Sequence, residues 1–150
     1  MGLAFAADGQ SMLVTVKRGG LLAASAPAQG VIARVHADGQ VEPTPVASGF
    51  TLPGGILVTP KGFAGTDAQI YVTDIGDIQS PVPMTQTLEH DGKVYRITAE
   101  GKSELVASGF INPLGLQIVD GALLVTDING DFIAGKRELP DGFIIKLTPP

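Results

Sequence analysis

The residues with the most chemical promise lie in the run Asp127-Ile128-Asn129-Gly130-Asp131. Alternating Asp and Asn oxygens around a glycine resemble the opening of a calcium loop, because a hard cation collects several carboxylate and carbonyl oxygens. Asp127, Asn129 and Asp131 are therefore the candidate ligands for a divalent cation, calcium or zinc. A complete loop also needs another Asp or Asn and a distal Glu, and Glu138 stands off the required spacing. The competing reading ends a strand at Asp127 and makes Asn129-Gly130 a tight turn. The related run Asp74-Ile75-Gly76-Asp77 lacks the Asn and follows the turn reading. His90 stands between Glu89 and Asp91, where an imidazole could serve as base or ligand. An exposed loop histidine is the simpler account of it.

Other chemistries are excluded. No Gly-x-Ser-x-Gly occurs, and the chain has only 2 His, which argues against a serine nucleophile. Ser48 and Ser108 each precede Gly-Phe and read as turn residues. The glycine-rich stretches lack phosphate-loop spacing. With no cysteine there is neither a disulfide nor a thiolate metal site. A net charge of −5, with Lys17-Arg18 among the few basic pairs, argues against a nucleic-acid partner. No apolar stretch approaches the roughly 18 residues of a membrane span. No signal peptide is visible, and Met1 runs straight into a strand-like unit. That abrupt start reads as the loss of an upstream part, which leaves a periplasmic or secreted location open.

The elements that must position these residues are short. Segments rich in Val, Ile, Leu and Thr are bounded by Gly, Asp-Gly or Pro, which is a strand-and-turn pattern. No segment sustains a helical period with caps. A hydrophobic content of 44% and a positive mean hydropathy imply a well-buried core. Ala-Ser-Gly-Phe occurs twice, at 47–50 and 107–110. Leu52-Pro53-Gly54-Gly55-Ile56 follows the first copy, and Asn112-Pro113-Leu114-Gly115-Leu116 follows the second. Each copy then reaches an apolar run ending in Val-Thr-Asp, and a partial copy opens the chain with Met12-Leu13-Val14-Thr15. Such self-similarity marks an array of one small unit.

Four strand types can be assigned within the unit. The A type covers 2–6, 54–59 and 115–119, and the B type 12–16, 70–73 and 122–126. The C type covers 30–36, 92–98 and 142–147, and the D type 41–47 and 103–107. Asp38-Gly39 and Glu100-Gly101 signal tight C-to-D hairpins. Four antiparallel strands in roughly 50 residues fit a propeller blade. The expected fold is all-β, a single partial β-propeller domain of about three four-stranded blades at 2–50, 51–110 and 111–150. Phe50 and Phe110 each follow a D strand and are expected to wedge between adjacent sheets.

The pattern Pro-x-Gly-(Leu/Ile), then Val-Thr-Asp, then Gly-x-(Val/Ile)-x-(Arg/Lys)-(Ile/Leu) resembles the NHL-type and the senescence-marker-protein/gluconolactonase/luciferin-regenerating-enzyme β-propellers. The resemblance runs over nearly the whole chain at blade level. It implies a six-bladed ring, about twice what this chain supplies. The chain is then either a fragment of a longer propeller or a half that self-associates to complete the ring. In the gluconolactonase-like family a Glu, two Asn and an Asp hold a divalent cation in the central channel. Asn112 comes near one of those positions, although the family spells it Pro-Asn-Gly. Pro140-Asp141-Gly142 resembles a family motif but precedes the wrong strand type. No Glu can be assigned to the channel.

In a propeller the D-to-A and B-to-C connections share one face, and here the B-to-C loops at 17–29, 75–91 and 128–141 are long. Asp74, Asp77, His90 and Asn112 would sit there with Asp127, Asn129 and Asp131, and the face would take a small molecule or a protein. The expected function is a binding scaffold without a complete catalytic centre. The alternatives are part of a metal-dependent sugar-lactone hydrolase or of a quinone-dependent sorbosone/glucose dehydrogenase. The dehydrogenase needs a catalytic His and cofactor-clamping basic residues, for which only Lys17, Arg18, Lys136 and Arg137 lie in the right loops.

Overall fold

The computed structural model describes residues 1–17, 30–60, 63, 69–76, 91–128 and 142–149. These form eleven strands and no α-helix. In chain order they are β1 (Leu3–Phe5), β2 (Ser11–Lys17), β3 (Gly30–His36), β4 (Ala47–Phe50), β5 (Pro53–Val58), β6 (Ile70–Asp74), β7 (Gly92–Ile97), β8 (Ser103–Phe110), β9 (Pro113–Val119), β10 (Ala122–Ile128) and β11 (Gly142–Leu147). Each strand pairs antiparallel with its neighbour in sequence inside a sheet. The first sheet runs β1-β2-β3-β4, the second β5-β6-β7-β8 and the third β9-β10-β11. No described helix is long and apolar enough to cross a membrane.

The turns follow from their residues. Asp120 and Gly121 both take positive φ (49° and 74°), so β9 and β10 are joined by a two-residue turn with the twist of a hairpin. The β3–β4 and β7–β8 connections begin with loops closed by the amides of Gly39 and Gly101, which donate to the carbonyls of His36 and Thr98 at 2.9 Å each, with the two glycines at φ 84° and 78°. The expected strand over 41–47 is not formed. Only Val41 makes an isolated bridge, to Val35, and β4 starts at Ala47. Pro43 and Pro45 lack the amide hydrogens that a ladder needs. Ser48 and Ser108 lie inside β4 and β8 rather than in turns. There the ladders skip Gly49 and Gly109, which adopt φ of 95° and 91°. The Ser-Gly-Phe triplet is thus a β-bulge whose glycine takes the left-handed conformation.

The sheets pack face to face in series, with the second in the middle. Its strands alternate between two cores. Ile70, Val72, Tyr95 and Ile97 join Leu13, Ile32 and Phe50 of the first sheet. Tyr71, Val94 and Phe110 join Leu123 and Val125 of the third. Phe50 is 1% exposed and Phe110 is 3% exposed, so both bulge phenylalanines are inter-sheet core as expected. Phe50 meets Tyr95 edge-on, with ring centroids 5.8 Å apart and planes at 66°. Full burial of such a ring contributes about 1.5–3 kcal/mol.

Candidate functional site

Strand B of each unit carries a threonine that accepts an amide of strand A, and in the first two units it also joins two sheets. The amide of Gly2 donates to Thr15 Oγ1 at 2.6 Å, and the Thr15 hydroxyl lies 2.8 Å from the carbonyl oxygen of Gly54 in the next sheet. The amide of Gly55 donates to Thr73 Oγ1 at 2.8 Å, and that hydroxyl reaches the Leu114 carbonyl of the third sheet at 3.4 Å. The amide of Gly115 donates to Thr126 Oγ1 at 2.7 Å. Thr15 and Thr73 are fully buried. The neighbouring glycines make this approach feasible. A methyl on Gly2 would lie 2.5 Å from the Gly54 carbonyl oxygen, and one on Gly55 would overlap the carbonyl oxygen of Leu114. β1, β5 and β9 therefore lie side by side, closer than side chains would permit.

One residue further on, the aspartates of Val-Thr-Asp hold the links between sheets. Asp74 accepts from the amides of Thr51 at 2.8 Å and Leu52 at 2.7 Å, the two residues that join β4 to β5. Gly76 adds a weaker 3.3 Å contact, and the Ile75 amide returns to the Leu52 carbonyl at 3.0 Å. Asp127 repeats the arrangement on the β8–β9 link. It accepts from Ile111 at 3.0 Å and from Asn112 at 2.6 Å, while the Ile128 amide donates to the Asn112 carbonyl at 3.2 Å. Both aspartates are 5% exposed. The amides take the place of the water that a buried carboxylate loses. In β2 the corresponding residue is Val16, so the first sheet lacks this clasp.

The predicted site residues are distributed accordingly. Asp74, Asn112 and Asp127 lie at the same end of the sheets, but the two aspartates turn onto backbone amides. Asn112 is half-buried, and its side-chain amide donates to the Ile128 carbonyl at 3.1 Å. Asp77, His90, Asn129 and Asp131 lie outside the described residues. Among the described residues no group of three His, Asp or Glu side chains is placed to share a metal ion. Three residues not singled out from the sequence share this end. Asp91 lies 3.5 Å from Lys93 Nζ, and a methyl on Gly76 would press on the Asp91 carboxylate. Tyr95 is held above its ordinary pKa chiefly by burial, with Lys93 opposing and the charges of Asp74 and Asp91 adding.

The opposite end carries a charged network of a different kind. Asp8 accepts from the Gln10 and Ser11 amides at 2.8 and 2.9 Å and from Arg34 Nη1 at 2.9 Å. Glu42 lies within 3.4 Å of Arg34 and 3.3 Å of His36. The Asp8 carboxyl is lowered from 3.8 to about 2, first by the Gln10 amide, then by the Ser11 hydroxyl and amide, with a smaller effect from Arg34. Comparison with known proteins gives no match, either to a family model or to a curated relative.

Proposed function

We propose that this chain is an arc of a β-propeller whose sheets are successive blades, and that it serves as a binding scaffold rather than a catalyst. The reading is supported by the resemblance of its repeat to NHL-type and gluconolactonase-like propellers, and by the serial packing of its meander sheets. The observation that carries it is the use of Asp74 and Asp127. The carboxylates best placed to hold a cation or activate water already accept hydrogen bonds from two neighbouring amides each. A binding surface at this end would use Asn112, Lys93 and Asp91, and would suit a polar small molecule or a protein loop.

Calcium and zinc titration followed by thermal melting tests this reading, together with hydrolysis of sugar lactones. The scaffold reading expects no rise in Tm of several degrees at millimolar cation, and no lactone turnover above background. A cation-dependent rise that Asp127→Asn abolishes, accompanied by turnover, would replace it with the metal-dependent hydrolase.

A further inference from the structure

The molecule makes one kind of sheet-to-sheet contact twice, and its two outer faces are the unmatched halves of that same contact. The half presented by the second sheet to the first has an apolar body of Ile56, Val58, Ile70, Val72, Tyr95 and Ile97, with Asp74 and Lys93 paired at its end. The outer face of the first sheet repeats it. Cross-strand partners share a face, and Leu3 pairs with Val14, Phe5 with Met12, Val14 with Ala33 and Met12 with Val35. Leu3 and Phe5 are 62% and 72% exposed. The other half is mixed and carries the joining threonine, as the first sheet does with Leu13, Thr15 and Ile32. The outer face of the third sheet repeats that. There Thr126 pairs with Ile144, Leu124 with Lys146 and Leu124 with Gln117. Ile144 is 71% exposed.

The polar fittings are in place as well. Thr126 accepts the Gly115 amide as Thr15 and Thr73 accept theirs, yet among the described residues no carbonyl of a further sheet answers its hydroxyl. A methyl on Gly115 would meet only the Thr126 side chain, whereas Gly2 and Gly55 are each crowded by a carbonyl of the next sheet. On the first sheet Gly2 holds the place of Gly55 and Gly115. The Met1 carbonyl then stands where Gly54 and Leu114 offer theirs.

We infer that the third sheet of one copy docks on the first sheet of a second copy, and that two copies joined head to tail form one six-sheet ring. Thr126 of each copy then reaches the Met1 carbonyl of the other. Leu124 and Ile144, in the places of Leu13 and Ile32, cover Leu3 and Phe5. Each copy uses two different surfaces, and a two-fold arrangement satisfies both at once, leaving no exposed end. This inference rests on the packing of the sheets, not on the absence of catalysis. It stands or falls separately from the cation and lactone tests.

Solution mass by light scattering on the full chain, alone and with substitutions, tests the arrangement. The wild-type protein is expected at twice the chain mass. Phe5→Glu and Ile144→Glu lie on different faces, and each should raise the dimer Kd by about a hundredfold or more, the equivalent of losing one buried apolar side chain at each of the two junctions. Mixing the two variants should recover dimers, because one native junction survives in the mixed pair. Circular dichroism confirms folding, and Thr126→Val supplies a gentler variant expected to weaken the dimer several-fold. A monomeric wild type overturns the inference. So does a dimer sensitive to only one of the two faces, since that is a contact of a face with its own copy. Continued growth into polymers overturns the closed ring.

Discussion

Replacing Asp74 measures how much the clasp between sheets contributes. Its carboxylate accepts from Thr51 and Leu52 at 2.8 and 2.7 Å, and Leu52 itself is 7% exposed. In Asp74→Ala both amides lose a charged acceptor where water has little access. Each such loss costs about 1.5–3 kcal/mol, so the variant is expected to lose about 3–6 kcal/mol. Against a total of roughly 5–15 kcal/mol for a natural domain, that is a large share. Asp74→Asn keeps the shape but offers one carbonyl oxygen and turns an NH2 toward the second amide. It should lose about half as much. Urea unfolding followed by circular dichroism reads both, with the slope m compared to confirm that the same surface unfolds. A loss below about 1 kcal/mol in Asp74→Ala would refute the clasp.

The remaining predictions concern the joining threonines, the glycines and the charged network. Thr73→Val leaves the Gly55 amide without its acceptor and should cost about 1–3 kcal/mol by urea unfolding. Gly55→Ala and Gly109→Ala should fail for different reasons. The first drives a methyl into the Leu114 carbonyl and should lose about 1–3 kcal/mol or more, with the β5–β9 packing disturbed. The second has open space around it but sits at φ 91°, so it should lose only about 1 kcal/mol, with unchanged near-ultraviolet dichroism. For Asp8 the folded pKa lies below the ordinary value. Its stabilising contribution is therefore complete above pH 3.8 and disappears as pH falls through about 2. The Tm difference between wild type and Asp8→Asn should shrink across that window, and a constant difference would contradict the assignment.

Much of the architecture was legible because it is repetitive. Val-Thr runs, Gly-bounded apolar segments and the doubled Ala-Ser-Gly-Phe located ten of the eleven strands, and the two phenylalanines were readable as inter-sheet core. The strand assigned to 41–47 failed because its valines were weighed above Pro43 and Pro45. The role of Ser48-Gly49 was missed because a bulge depends on the partner strand's register, which a local pattern does not contain. The clasping aspartates were seen as candidate ligands for a similar reason. Their partners are backbone amides of residues more than a dozen positions earlier, and amides carry no side-chain signature. The recurrence of Thr beside Asp was the available signal. Lys93 and Tyr95 reach the same end only through the pairing of β6 with β7.

The clasp also has a direction in time. The link at Thr51 and Leu52 is tied by a residue that lies 22 positions or more downstream, and Ile111 and Asn112 wait similarly for Asp127. During synthesis from the amino terminus, the exit from each sheet stays untied until the second strand of its successor emerges. A ribosome paused before Asp74 would hold a first sheet whose bulge phenylalanine, Phe50, still lacks Tyr95 as cover. Assembly is thereby ratcheted forward, each new unit fastening the one made before it.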